Sequence, residues 1–119
     1  MTLPRRIPKE PKRASRWRSQ AHCNFVRGFQ CCVTWCAGMP IEVAHVRMGS
    51  GAGIGQKPDD WRVVSLCLEH HAEQHRVGEE TFWKRHSLCG PEQFIAEFIK
   101  ASPKRLEIEA KLKERSDDA

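Results

Sequence analysis

Short segments of regular hydrophobic spacing lie between residues 20 and 101, and charged residues dominate both ends of the chain. Apolar runs rich in valine and isoleucine predict strands, and apolar residues three or four apart predict helices. The pattern predicts a helix over 20–29, strands over 41–46 and 61–66, and helices over 67–77, 79–86 and 91–101. Two strands followed by a helix, with further helices around them, indicate an α+β domain.

The N-terminal end of the chain is strongly basic. Residues 1–20 contain seven Lys and Arg and one Glu, a net charge of +6, and the remaining 99 residues sum to −1. Pro4, Pro8 and Pro11 interrupt this segment, so residues 1–18 are predicted to be a disordered arm suited to a polyanion such as nucleic acid. A solubilising tail is the simpler alternative.

The C-terminal residues 102–119 alternate in charge and contain few apolar positions. They are predicted to form a frayed, solvated helix or tail, with Leu106 and Leu112 as its anchors. A chain of 119 residues is too short for two good cores, so residues 19–101 are predicted to be one domain. No apolar run approaches the roughly 18 residues that a membrane span requires, so we expect a cytoplasmic protein.

Six cysteines and six histidines occur in a chain whose apolar content alone predicts a marginal core. For an intracellular chain, metal binding is the better interpretation than a disulfide scaffold. Cys67 and His70 lie three apart at a predicted helix start, the usual way of presenting half of a tetrahedral zinc site. The other half is expected from Cys31, Cys32 and Cys36, with Cys31 and Cys32 as alternatives. Four of these five residues are predicted to bind a structural Zn²⁺.

A second histidine pair lies on the same predicted helix. His71 and His75 are four residues apart, so they share one helical face, with β-carbons about 5–6 Å apart, and could share one ion. The metalloprotease signature needs Glu directly after the first His, and the presence of Ala72 at that position argues against this class. Two solvated imidazoles are the simpler alternative for such a pair.

His45 ends the first predicted strand, within the motif EVAHVR. A neutral imidazole with a pKa near ~6.5 could take a proton from an attacking water. Arg47 would point to the same face of the strand and could hold a phosphate oxygen through its planar guanidinium. A buried, hydrogen-bonded histidine and an ordinary surface arginine are the alternatives.

The ordered combination of a Cys knuckle, EVAHVR, a Gly-rich loop, KPDDWRVVSLC and EHHAEQH resembles the HNH nuclease superfamily. It is most similar to phage and prophage-borne members related to the RecA-dependent nuclease Ref. The resemblance implies a small zinc-stapled ββα-metal domain with flanking helices, which hydrolyses DNA with a catalytic divalent ion (Mg²⁺, Mn²⁺ or Zn²⁺). It implies a bacterial or phage-encoded protein with DNA as its partner and a recombinase filament as a further candidate.

The resemblance also implies roles for particular residues. His45 corresponds to the histidine that activates water, and His71 and His75 stand where the family holds the catalytic ion. Asp60 lies near the position of the central polar residue in the motif that gives the HNH family its name. It would orient the base by accepting a hydrogen bond from the other ring nitrogen. Ala44 departs from the family, because many HNH enzymes place a metal ligand directly before the base. A non-catalytic zinc-stabilised DNA-binding or recombination-accessory module is the alternative from another class.

Overall fold

The structure is a computed structural model of the 119-residue chain, and it describes residues 2–8, 16–52, 56–87 and 89–117. Within these ranges it contains two strands and five helices. In chain order they are α1 (Gln20–Arg27), β1 (Ile41–His45), β2 (Val63–Cys67), α2 (Leu68–Val77), α3 (Glu79–His86), α4 (Glu92–Ala101) and α5 (Arg105–Asp117). The predicted α+β class is confirmed, and the ends of the predicted core elements differ from the observed ones by at most two residues.

The two strands pair antiparallel, with Ile41 opposite Cys67 and His45 opposite Val63. All five residues of β2 are buried, because α1, α2 and α4 all contact this strand. Burial on both faces explains why β2 is mostly apolar rather than alternating. Its one polar residue, Ser65, donates its hydroxyl to the carbonyl of Gln30 at 2.7 Å. The main core also includes Phe82 of α3, which is fully buried.

Strand β2 continues directly into α2 without a loop. Cys67 is the N-cap of the helix, and its sulfur accepts the backbone N–H of His70 at 3.5 Å. No Gly or Pro interrupts residues 68–77, and Gly78 follows the helix with a φ of +90°, a region that favours glycine. The two strands and α2 form a ββα unit in which α2 contacts both strands.

The predicted C-terminal helix is present as α5, and residues 109–117 are exposed as expected, but the helix is also anchored to the rest of the domain. Ile108 is fully buried and forms a small second core with Trp17 and Trp61. Leu106, one of the two predicted anchors, is 81% exposed instead. The charge pattern of α5 does not indicate this packing, because a single isoleucine, rather than an apolar stripe along the helix, contacts the two tryptophans. The folded unit therefore extends beyond the predicted domain end at residue 101.

The arm predicted over residues 1–18 extends too far along the chain, because its last three residues are folded. Residues 2–8 are exposed and contain no helix or strand, and the prediction for residues 9–15 falls outside the described residues. Residues 16–18 belong to the folded part, because Trp17 is only 9% exposed. The two arginines that flank it pair with acidic residues of the domain. Part of the positive charge at this end is therefore used within the fold.

Candidate metal centre and active site

Three cysteine sulfurs surround one imidazole nitrogen where the knuckle after α1 meets the start of α2. The Nδ1 atom of His70 lies 3.5 Å from the Sγ atom of Cys31. It lies 3.4 Å from the Sγ atom of Cys36 and 3.2 Å from that of Cys67, and these two sulfurs are 3.9 Å apart. Thiolate and imidazole ligands about 2.3 and 2.1 Å from one tetrahedral ion are separated by roughly 3.6–3.8 Å. The four residues could therefore hold a structural metal ion.

The structure distinguishes between the two adjacent cysteines of the knuckle. Cys31 contributes its sulfur to the cluster, whereas Cys32 does not belong to it. The backbone N–H of Cys32 donates to the carbonyl of Ser65 at 2.8 Å, and its Sγ atom lies 3.5 Å from the Ser65 hydroxyl. Because Cys32 is held against β2 in this way, only its neighbour faces the other ligands.

Gly38 shapes the cluster from the opposite side of the knuckle. Its backbone N–H donates to the Sγ atom of Cys36 at 3.4 Å, which lowers the pKa of this thiol, whereas burial raises the pKa of Cys31 to about 11. A β-carbon at position 38 would lie only 3.0 Å from the Sγ atom of Cys67. A larger residue at this position would therefore push against the sulfurs of the cluster. Since metal ions bind thiolates, ion binding would also release the proton of Cys31.

The second histidine pair of α2 converges on one point. The Nε2 atoms of His71 and His75 are 3.1 Å apart. Two nitrogen ligands at about 2.1 Å from a shared ion, at angles between 90° and 110°, are separated by roughly 3.0–3.4 Å. The Nδ1 atom of His71 lies 2.9 Å from Oε1 of Glu42 on β1. The pair therefore has the spacing of two ligands of one ion, with a carboxylate behind one of them.

The ring of His45 lies against a carboxylate from the loop that precedes β2. Its Nε2 atom is 2.9 Å from Oδ1 of Asp60, and Oδ2 of the same carboxylate accepts the backbone N–H of Ser19 at 2.8 Å. Burial alone would raise the pKa of Asp60. These hydrogen bonds and the charge of Arg18 instead hold this pKa below its usual value. The ionised carboxylate accepts the Nε2 proton of neutral His45, which leaves Nδ1 as the basic ring nitrogen.

The protonation state of His45 suits a proton acceptor. Burial lowers the pKa of this imidazole below its ordinary value of 6.5, and this effect outweighs the hydrogen bond that the ring donates to Asp60, which raises the pKa. The positive charges of Lys57 and Arg18 lower it further. The ring is therefore neutral near pH 7, as a general base must be.

One cavity of about 720 Å³ brings together the histidines predicted to carry the chemistry. Its lining includes His45, Arg47, Lys57, His71 and His75. Asp60 contacts the ring of His45 from the neighbouring loop. Arg47 follows β1, and its backbone N–H donates to Glu79 of α3 at 2.7 Å. The cavity therefore combines an imidazole base, a converging nitrogen pair, two cationic side chains and the carboxylate of Glu79.

Residues 3–100 match a protein family described as "Protein of unknown function (DUF968)". The chain belongs to the DUF968 family. It is 37% identical over 73 residues to the "Uncharacterized protein YdfU" of Escherichia coli (strain K12), a match that covers 60% of this chain and 20% of that protein. The chain thus spans about one fifth of the length of this curated relative. No solved structure matches the chain.

Asp59 of this DUF968 protein has a structural role that could not be predicted from the sequence. Its side chain is almost fully buried, and it accepts the backbone N–H of Trp17 at 2.7 Å. Arg115 of α5 donates two further hydrogen bonds to it, at 2.6 and 3.0 Å. Burial opposes ionisation of Asp59, yet these donors hold its pKa below the usual value. The adjacent aspartates therefore differ in role, because Asp60 contacts His45 whereas Asp59 anchors the loop to α5.

A further group of possible ligands lies beside the cysteine cluster. His70, Glu73 and His86 have donor atoms within 4.8 Å of one another. The Nε2 atom of His86 is 2.6 Å from Oε1 of Glu73, and Arg85 lies 3.3 Å from the other carboxylate oxygen. Burial raises the pKa of Glu73, but the contacts with His86 and Arg85 outweigh burial and lower this pKa below its usual value. The carboxylate is therefore satisfied by side chains of α3.

Among the described residues of this DUF968 member, none of the helices has the length and apolar character needed to cross a membrane.

Proposed function

We propose that this DUF968 protein is a metal-dependent HNH endonuclease that hydrolyses DNA phosphodiester bonds. The proposal depends above all on the shared cavity, in which neutral His45 lines the same space as the converging nitrogens of His71 and His75. The family description names no activity. The support therefore comes from this arrangement and from the resemblance of the motifs, which assign chemistry to the same three histidines.

The two ligand sets suit ions with different tasks. The set with three sulfurs and one nitrogen, formed by Cys31, Cys36, Cys67 and His70, is typical of closed structural zinc sites. The pair His71 and His75 supplies only two nitrogens, which suits Mg²⁺, Mn²⁺ or Zn²⁺ completed by water and phosphate. A divalent ion bound there would polarise a phosphate oxygen and stabilise the leaving oxyanion.

His45 acts as the general base in this proposal. Its Nδ1 atom accepts a proton from the water that attacks phosphorus in line with the leaving oxygen. Asp60 holds the Nε2 proton in place, and its negative charge stabilises the imidazolium that forms. Arg47 and Lys57 on the cavity wall provide positive charge for the phosphate oxygens. A general base of this kind contributes roughly 10²–10⁴-fold to the rate.

DNA is the proposed substrate because positive charge is concentrated at one end of the chain and because Arg47 and Lys57 line the cavity. The first 20 residues carry a net charge of +6, and residues 2–8 with Arg5 and Arg6 are exposed. Contacts of such residues with phosphates give affinity that falls with salt. The resemblance alone supports a cytoplasmic role in phage or prophage recombination, with a recombinase filament as a second partner.

One observation favours a second candidate, a non-catalytic zinc-stabilised DNA-binding or recombination-accessory module. Ala44 stands where many HNH enzymes carry a metal ligand, and it is fully buried opposite Val64 of β2. Strand β1 therefore supplies no ligand at this position. Such a module would bind DNA without metal-dependent nicking.

A plasmid-nicking assay distinguishes the two candidates. The zinc-loaded full chain is incubated with supercoiled plasmid, with and without added Mg²⁺, Mn²⁺ or Zn²⁺. We expect nicking only with an added ion, and a loss of about 10²–10⁴-fold in rate for His45→Ala. DNA binding by this variant, measured by fluorescence anisotropy, should remain close to that of the unmodified chain.

His86→Ala is the matched control. The side chains of His45 and His86 are 17% and 22% exposed, and each pairs with one carboxylate, but His86 pairs with Glu73 at α2 and α3. We expect it to retain nicking. Full activity of His45→Ala would refute the assignment of the base. DNA binding without nicking under every ion would favour the accessory module.

A further inference from the structure

Glu42, whose carboxylate lies behind the histidine pair, has no role in the proposed chemistry. Oε1 of Glu42 lies 2.9 Å from Nδ1 of His71, and the side chains are 41% and 20% exposed. We propose that Glu42 is a positioning residue that fixes the ring of His71 so that its Nε2 atom binds a divalent cation together with His75. This inference rests on the metal site of the proposed function.

The fold brings these two residues together from distant parts of the chain. Glu42 lies on β1 opposite Leu66 of β2, and β2 continues into α2 without a loop. The first turns of α2 therefore run beside β1, and the two elements are in contact. Because both partners stand on regular elements, the direction of the His71 ring is set by the ββα unit rather than by a loop.

The contact decides which nitrogen of His71 is available. A neutral imidazole carries its proton on one nitrogen and has its lone pair on the other. The carboxylate oxygen 2.9 Å from Nδ1 accepts a hydrogen bond from that atom, so the proton lies on Nδ1 and the lone pair on Nε2. This atom is the one that lies 3.1 Å from Nε2 of His75. A carboxylate behind a ligating histidine also increases the basicity of the ligand.

Two carboxylates that contact histidines of the cavity fix opposite forms of these rings. Asp60 contacts Nε2 of His45 and leaves Nδ1 basic, whereas Glu42 contacts Nδ1 of His71 and leaves Nε2 basic. Asp60 thus selects the free nitrogen of the ring that accepts a proton, and Glu42 separately selects the free nitrogen of the ring that binds a cation. Loss of Glu42 is expected to affect cation binding and to leave the state of His45 unchanged.

Binding of Mn²⁺ to the zinc-loaded full chain tests the inference without an activity readout. Mn²⁺ prefers nitrogen and oxygen ligands and leaves the cysteine cluster to zinc. We expect Glu42→Ala to weaken Mn²⁺ binding by roughly 10–100-fold in calorimetry. Glu42→Gln keeps the size of the side chain and one acceptor oxygen, and we expect a smaller loss. Glu80→Gln, which removes an exposed carboxylate paired with Lys84 on α3, is the matched control and should bind normally.

Nitrogen-15 NMR of the imidazole rings gives a readout that a general loss of stability would not produce. We expect His71 to carry its proton on Nδ1 in the unmodified chain, to lose this preference in Glu42→Ala and to lose part of it in Glu42→Gln, while the His45 signals stay unchanged. Glu42→Gln serves as the test if Glu42→Ala fails to fold.

The same titrations separate this inference from the proposed function. Mn²⁺ binding that is unchanged in His71→Ala would refute the metal site and, with it, the role of Glu42. Binding that is lost in His71→Ala but unchanged in both Glu42 variants would refute the positioning role alone. An unchanged Nδ1 proton on His71 in Glu42→Ala would likewise overturn it.

Discussion

The guanidinium of Arg115 on α5 donates two hydrogen bonds to the carboxylate of Asp59, at 2.6 and 3.0 Å. It also lies 4.8 Å from the ring centre of Trp61, where a cation–π contact adds to the hydrogen bonds. Asp59 directly precedes Asp60, which contacts His45. The C-terminal helix is therefore tied to the loop that carries the partner of the candidate base.

Replacing this arginine should destabilise the domain. Arg115→Ala leaves a carboxylate that is 2% exposed with fewer hydrogen-bond donors, so we expect the free energy of unfolding to fall by about 1–3 kcal/mol. Urea denaturation of the zinc-loaded chain measures the change. Arg105→Ala is the control on the same helix, because its pair with Glu109 is exposed and should contribute less than about 1 kcal/mol. Equal losses in the two variants would contradict the account.

Gly38 provides a test of the cysteine cluster. A β-carbon at this position would approach the Sγ atom of Cys67 to 3.0 Å and that of Cys36 to 3.3 Å, so Gly38→Ala must displace at least one ligand. We expect weaker zinc binding, by about 1–3 kcal/mol, in competition with a chromogenic chelator. Gly28→Ala is the control, because Gly28 has a φ of −77° and its β-carbon would approach only a backbone carbonyl of Phe25, at 3.3 Å. Unchanged zinc affinity in Gly38→Ala would show that the ligands do not meet as described.

The adjacent cysteines give an internal comparison. Cys31→Ser removes a cluster sulfur and should lower the zinc content of the purified chain, whereas Cys32→Ser should keep it, because Cys32 contacts Ser65 instead. Zinc released on thiol modification and measured with a metallochromic dye provides the readout. The reverse pattern would mean that the knuckle presents Cys32 to the ion.

Much of the candidate site follows from helix geometry and could therefore be predicted. Residues three or four apart on one helix have fixed relative directions, so the sequence separates the Cys67 and His70 pair from the His71 and His75 pair. The same reasoning cannot choose between Cys31 and Cys32, because the choice depends on a hydrogen bond to β2, distant in sequence.

The contacts that fix the orientation of the site are tertiary and left little signal in the sequence. Glu42 reaches His71 only because β1 and α2 lie side by side. Arg115 reaches Asp59 across 56 positions, from a helix whose charge pattern is typical of a solvated tail. Spacing rules describe neighbours within one element, so pairs formed by packing between elements lie beyond them.

The pH dependence of nicking reports on His45 and Asp60. Only neutral His45 can accept a proton, so kcat/KM should be constant above the ordinary histidine pKa of 6.5 and fall on the acid side. Because burial lowers the pKa of His45, the midpoint of this fall should lie below 6.5. Rates measured with saturating metal between about pH 5 and about pH 8 would locate it.

Asp60→Asn should change this profile in a defined direction. The hydrogen bond and charge of Asp60 raise the pKa of His45, so their loss should move the midpoint to still lower pH. The plateau rate should fall at least about tenfold, because the ring is no longer held with its proton on Nε2. Asp117→Asn, which alters an exposed residue of α5, should leave both quantities unchanged. A midpoint that rises in Asp60→Asn would mean that the carboxylate does not act on His45 as its contact of 2.9 Å indicates.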